Sequence, residues 1–303
     1  MKIVNNKVIK NIKALVKGLF PALLIVMLSV SWSMAQDEEG GLPDRPVLYT
    51  FNGAWLIDNQ SVMVHTPGTF EFDILHRFGT MGNGYDDLYG LYASSNIRLG
   101  FSYVPIENLM VGFGLTKRKH LLDFNLKYAL LKQTRSDAMP VSVTYFGNMA
   151  WDTRDEAMIG EVYNESDRLS FFHQVIVARK FTDWLSLQVA GSVSHYNLVS
   201  DQRENDHYAI AGGGSIKLTE TLYAIFNVDQ PITQHTAGNP NPNLSVGIEM
   251  ATSSHEFQIF LGNYQNIIPQ ENNFFNSNNY NAEGESFWSN YLIGFNITRL
   301  WNW

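Results

Sequence analysis

Apolar and polar residues alternate strictly along "LLDFNLKYAL": Leu122, Phe124, Leu126, Tyr128 and Leu130 interleave with Asp123, Asn125, Lys127 and Ala129. A period of two predicts a β-strand with two unlike faces. "TFEFDILHRFG" repeats the pattern, with Phe70, Phe72, Ile74 and His76 against Glu71, Asp73, Leu75 and Arg77. It returns in "NIRLGFSYV", "LMVGFGL", "VSVTYFGNMAW", "LSFFHQVIVARKF", "LSLQVAGSVSHY", "YAIAGGGSIKL", "LYAIFNVD", "LSVGIEM", "FQIFLGN" and "FWSNYLIGFNITRLW". These are about twelve segments of roughly 7–12 residues, against the 9–11 that a tilted strand needs to cross a bilayer.

The links between segments alternate in length. Long ones cover 80–95, 152–168, 197–207, 230–243 and 264–286; short ones cover 105–108, 182–183, 219–221 and 252–254. Only "TKRKH" and "KQTRSDAM" blur the rule. Short periplasmic turns and long external loops mark an outer-membrane barrel. The expected fold is therefore an all-β transmembrane antiparallel β-barrel of about twelve strands, spanning 69–303. Its apolar faces meet lipid, because a closed sheet alone pairs every strand's backbone groups in hydrocarbon. A soluble β-sandwich is the weaker alternative, since it favours neither alternating loop lengths nor aromatics at segment ends. Trp151, Trp184, Trp288 and Trp301 stand at such ends, where a membrane interface places them. Arg179 has lipid-side parity beside the Thr182 turn and is expected to snorkel to headgroups. The terminal Trp303 resembles the aromatic-ended signal read by barrel-insertion machinery.

The amino terminus fits export. Lys2, Lys7, Lys10, Lys13 and Lys17 precede an apolar run from Leu19 to Val30, and Ser33-Met34-Ala35 offers a cleavage site. Residues 1–35 read as a signal peptide. Residues 36–68 begin acidic, "QDEEGG", and continue into two short alternating pieces. They either add a hairpin, giving fourteen strands, or fold into the periplasmic mouth as a plug; the plug or periplasmic segment is preferred.

Composition removes several chemistries. The 303 residues include no cysteine, so there is no disulfide framework and no thiolate site. A net charge of −8 argues against nucleic-acid binding. The eight histidines show no zinc-motif spacing, and "AGGGS" at 211–215 lies inside a strand pattern instead of before a helix. No cofactor and no metal are expected. One catalytic possibility is a lipid-facing pair of His76 on the first strand and Ser289 on the last, as a phospholipase would use. An interfacial histidine is preferred, and the expected protein is not an enzyme.

Parity sends Glu71, Asp73, Arg77, Arg98, Asp123, Lys127, Lys180, Lys217, Asp229, Glu249 and Glu256 into the lumen, nearly balanced in sign. The candidate site is a lumen charge cluster of Glu71, Asp73, Arg77, Arg98, Asp123, Lys127 and Glu249. Hairpin pairing is expected to bring Arg77 and Arg98 to one level with acids between them, restricting the passage. Gly100, Gly112, Gly114 and Gly213 share the lumen parity and remove side chains where strands curve or where another segment packs close, whereas Gly147 has lipid parity.

"TFNGAWLIDNQSV", "FDILHRFG", "LYGLYASSNIRLGFSYVPIENLMVGFGLTK" and "LKYALLKQ…PVSVT" resemble an uncharacterised family of outer-membrane β-barrels from Bacteroidota-type bacteria. The likeness runs from about Thr50 onward and is strongest at His76-Arg77-Phe78-Gly79, Gly90-Leu91 and Lys127-Tyr128. It implies a bacterial outer-membrane barrel of unknown role, with no catalytic residues to carry over. In size and architecture alone the chain is also similar to the PorP/SprF barrels of the type IX secretion apparatus, but their opening motif is not evident. The expected role is a structural or accessory component of an envelope complex, or alternatively a narrow small-solute channel. Partners would be outer-membrane lipid, the insertion machinery during assembly and other envelope proteins. The Asn/Phe-rich stretch at 263–286 is a candidate contact loop.

Overall fold

The computed structural model describes residues 44–159, 164–280 and 287–302. The signal peptide, the acidic start and Trp303 lie outside the described residues. Two short strands, β1 (Trp55–Leu56) and β2 (Asn59–Gln60), are followed by twelve long ones. These are β3 (Thr69–Thr80), β4 (Asn96–Ile106), β5 (Leu109–Thr116), β6 (Leu121–Leu131), β7 (Ser142–Asp152) and β8 (Leu169–Lys180). Then come β9 (Leu185–Tyr196), β10 (Asp206–Lys217), β11 (Leu222–Pro231), β12 (Asn243–Ala251), β13 (His255–Gly262) and β14 (Leu292–Asn302).

Each long strand pairs antiparallel with its sequence neighbours, and β14 closes on β3 through pairs such as Ile297 with Ile74. The result is a closed twelve-strand barrel. β1 and β2 pair only with each other, Trp55 opposite Gln60. The fourteen-strand alternative is thus not realised, because the hairpin is too short and too polar to join a wall that spans lipid. Connections at one end are brief (107–108, 181–184, 218–221 and 252–254) apart from 132–141; those at the other are mostly long. We call these the inner and outer ends, following the rule for outer-membrane barrels.

Alternation decides which way each side chain points. Outward positions are apolar and exposed, as at Leu126 (41% exposed) and Ile259 (58%). Inward positions are mostly polar and buried: Asp73, Arg77, Arg98, Asp123 and Lys127 each show 1% or less to 2% of their surface. Trp151 closes the outer end of β7, and Trp184 stands on an inner turn. Arg179 differs from expectation. Its guanidinium donates to Asp137 Oδ2 (2.8 Å) and to the Pro140 carbonyl (3.0 Å). The long 132–141 turn folds over it, so a carboxylate replaces the lipid headgroup. Trp288 and Ser289 lie in the 3-10 turn Phe287–Asn290, ahead of β14 rather than within it.

Inside the wall a small apolar core forms where Leu56 and Ile57 meet Phe146, Phe172, Ile225 and Phe260. A filled interior of this kind explains why several inward positions, such as Phe146 and Phe172, break the polar pattern.

Candidate functional site

The chain enters the barrel at its inner end. Val47 N donates to the Gln133 carbonyl (2.7 Å) and Arg135 N to the Arg45 carbonyl (3.0 Å), so the segment first pairs with the 132–141 turn. From Thr50 to Val62 it runs buried or nearly so. At the tip of the β1–β2 hairpin Ile57 holds φ 62°, a left-handed conformation that a β-branched residue adopts only under constraint from its surroundings. Those surroundings are visible. Ile57 N donates to Gln258 Oε1 (3.2 Å), and its carbonyl accepts from Asn296 Nδ2 (2.6 Å).

The hairpin is bonded around much of the wall. Asn59 Nδ2 donates to both Asp229 oxygens (2.8 and 2.9 Å), and Gln174 Nε2 donates to Asn59 Oδ1 (3.0 Å). Asp58 Oδ1 accepts from Tyr264 OH (2.8 Å) and Asn227 Nδ2 (3.0 Å). Gln188 Nε2 reaches the Gln60 carbonyl (3.0 Å), and Thr144 Oγ1 the Val62 carbonyl (2.9 Å). Unpaired polar groups in such a dry interior are costly, which is why the wall opposite the segment is lined with amides and acids. Glycine supplies the space. A Cβ on Gly213 would lie 2.7 Å from Leu56 Cδ2, and one on Gly53 would overlap the Glu256 carboxylate.

The seven cluster residues all point inward, but they form separate groups. Asp73, Arg98 and Asp123 make one: Arg98 bonds Asp123 through Nε (2.9 Å) and Nη2 (2.8 Å), and Asp73 through Nη1 (3.0 Å). Glu71 Oε2 pairs with His65 Nε2 (2.8 Å). Lys127 Nζ donates to the Ala54 carbonyl (3.0 Å). Glu249 accepts from Asn52 Nδ2 (2.5 Å) and Gln258 Nε2 (2.9 Å). Arg77 turns the other way, donating to Asn296 Oδ1 (2.9 Å) over the Phe260 ring. The expectation that Arg77 and Arg98 share a level is corrected. Arg77 pairs with Asn96, Arg98 pairs with Leu75, and the two side chains diverge toward β14 and β6.

A second closure covers the outer end. The helix Pro269–Phe275 lies folded into the mouth, with Pro269 to Phe274 all buried. Gln270 Nε2 donates to Asn148 Oδ1 (2.8 Å), and Glu271 accepts from Tyr196 OH (2.8 Å) and Lys119 Nζ (3.0 Å). Phe274 rests on His207 and His235, whose ring nitrogens are 3.0 Å apart. Burial, and then the nearby Arg203 guanidinium, hold the His235 imidazole below its ordinary pKa. Within the candidate contact loop, Asn272, Asn273, Phe274 and Asn276 are buried, while Ser277 and Asn279 are exposed. Residues 281–286 lie outside the described residues.

The Ser–His pair is not formed. His76 stacks on Phe295 with ring centroids 4.8 Å apart, and its Nδ1 has no hydrogen-bond partner among the described residues. Ser289 sits in the turn beyond the strand end.

Asp58, Asn59, Asn227, Gln258 and Asn296 carry much of the interior bonding and were not singled out from the sequence. Their signal was the run of amides on inward parity.

A closed, even-stranded antiparallel barrel with an apolar exterior is the architecture of a bacterial outer-membrane protein, and the outer membrane is where this chain resides. Residues 51–301 match the membrane-bound β-barrel domain family (DUF5777), and the chain belongs to that family. No curated protein matches it. Among solved structures it is similar to the KdgM porin, at 8% identity and a TM-score of 0.44, covering 76% of this chain and 98% of that one. It is also similar to the COG4313 outer membrane channel from Pseudomonas putida F1, at 13% identity and a TM-score of 0.45, covering 79% and 97%.

Proposed function

We propose that this protein is a plugged outer-membrane barrel with no solute path in its resting state, serving as a structural or accessory component of an envelope complex. The observation that carries this reading is the double closure. The 50–62 segment is bonded to wall strands around the lumen, and the Pro269–Phe275 helix fills the outer mouth. Neither closure leaves the charged wall free to line a continuous aqueous passage, which conduction requires.

A second reading is a gated small-solute channel. It is favoured by the kind of bonds that hold the hairpin: nearly all are hydrogen bonds to side chains, and the segment is covalently continuous with the wall only through β3. A recess of about 180 Å³ at the inner mouth, beside Phe51, Trp184 and Tyr223, also gives the segment somewhere to shift.

Planar-bilayer recording tests the proposal. Wild-type protein is expected to be silent across voltages, and so is a variant lacking only residues 50–62, whereas a variant lacking both 50–62 and 269–275 is expected to conduct. Purification from native membranes in mild detergent is expected to bring other envelope proteins with the wild-type chain. Porin-like steps from the wild type would overturn the closed reading. Silence that yields on addition of a solute would favour the gated channel.

A further inference from the structure

His173 breaks the chemistry of the lipid-facing wall. It lies on the outward parity of β8, between Phe171 and Val175, and is exposed. It pairs across the sheet with Gly147, in the middle of β7, and sits four residues inward of Leu169, the partner of the girdle residue Trp151. An ionisable side chain below the aromatic girdle and facing lipid is unusual and marks a functional contact. His76, the other histidine facing outward away from a strand end, is sheathed between Phe78 and Phe295. His173 has no such cover. Its Nδ1 is 2.7 Å from the hydroxyl of Tyr145, which faces outward on the neighbouring strand.

The hydrogen-bond inventory of this pair decides what it needs. A neutral imidazole has one N–H and one bare nitrogen; a phenol has one O–H and accepting lone pairs. One bond between them leaves one donor and one acceptor unspent, whichever ring nitrogen carries the proton. Hydrocarbon tails satisfy neither.

The surface around the pair is shaped for close approach. Gly147 lies beside His173 on β7, and Gly191, opposite Val175 on β9, has nothing within 4 Å of where a Cβ would stand. Small residues let membrane-embedded surfaces meet closely around a polar contact.

We propose that this face of β7–β9 is the contact between two copies of this chain. Both copies span the membrane in the same sense, so a two-fold axis along the membrane normal sets equivalent residues at equal depth. There the unspent donor of one His173–Tyr145 pair meets the unspent acceptor of the other, twice. The patch is complementary to itself, and no other occupant is needed to satisfy it.

The absence of native cysteine makes the test clean. Gly191→Cys is introduced, and native outer membranes are treated with a mild oxidant. A disulfide-linked species of two chains is expected. Ile259→Cys, on the lipid face of β13, should give none. Adding His173→Leu to Gly191→Cys should reduce the two-chain species to the level of that control, whereas His173→Gln, which keeps a donor and an acceptor, should restore it. Heat-modifiability confirms that each variant is folded. Three results would overturn the proposal: no two-chain species from Gly191→Cys, an unchanged yield with His173→Leu, or a cross-link to a different protein.

Discussion

Arg98 and Asp123 meet across an intervening strand, with Nε to Oδ1 at 2.9 Å and Nη2 to Oδ2 at 2.8 Å. The guanidinium lies over Gly114 of β5, where a Cβ would stand 2.3 Å from Arg98 Cζ. Asp73 completes the group from β3 at 3.0 Å. The bidentate geometry, full burial and the glycine beneath make this a built ion-pair network within the wall.

Removing one member of a buried network strands the others, at a cost of about 3–5 kcal/mol. Arg98→Gln leaves two buried carboxylates facing each other and should lower the heat-modifiability midpoint sharply. Gly114→Val should do the same by displacing the guanidinium. Arg98→Met combined with Asp73→Asn and Asp123→Asn should recover much of the loss. Equal midpoints for Arg98→Gln and wild type would show that the network holds nothing.

The sheet was legible in the sequence because the alternation has a period of two, which only a strand can use. Parity placed Arg98, Asp123 and Lys127 inside for the same reason. Parity does not give height. Strand tilt and stagger in a closed barrel decide which inward residues meet, so the Arg98–Asp73–Asp123 group and its separation from Arg77 were not readable. The alternating pieces of 36–68 were legible, but the seat of the hairpin was not: "WLIDNQ" is bonded through backbone and side-chain groups whose partners lie mostly more than a hundred residues away, as with the side chains of Asn59 and Gln174. The Pro269–Phe275 helix has no apolar stripe to announce it, since it is buried on nearly every side in a polar mouth.

Face assignment is testable at Leu126 and Asn125, adjacent residues of β6 with opposite directions. Leu126→Arg puts a guanidinium against lipid near mid-strand, at a cost of about 2–4 kcal/mol. Asn125→Arg points into the polar interior and should be milder in the same heat-modifiability assay. The reverse order would invert the barrel's inside and outside.

Orientation is testable by labelling. Cysteine at Ser200, exposed in the 197–205 loop, should react with a membrane-impermeant maleimide on intact cells. Cysteine at Asp183, exposed on an inner turn, should react only after the outer membrane is breached. Labelling of Asp183→Cys alone on intact cells would turn the barrel over.

The outer closure should loosen in acid, and the sign follows from His235. Its imidazole is held neutral by burial and by the Arg203 guanidinium, while Glu204 opposes that effect weakly. A base whose pKa is depressed in the folded state contributes stability that is complete above its ordinary value, about 6.5, and is lost as pH falls below it. His207, stacked at 5.1 Å, and Arg203, whose Nη1 bonds the Phe274 carbonyl at 2.6 Å, face the same spot. Protonation therefore adds positive charge beneath Phe274 where a cation already sits. Phe274 has 0% exposure, so oxidative footprinting of its ring reports the seat directly. Its modification should rise as pH is lowered from about 7.5 to about 5, across the histidine range. His235→Gln should flatten that rise while leaving Phe274 protected at neutral pH. A footprint that ignores pH in the wild type, or rises just as steeply in His235→Gln, would remove His235 from the control of the outer mouth.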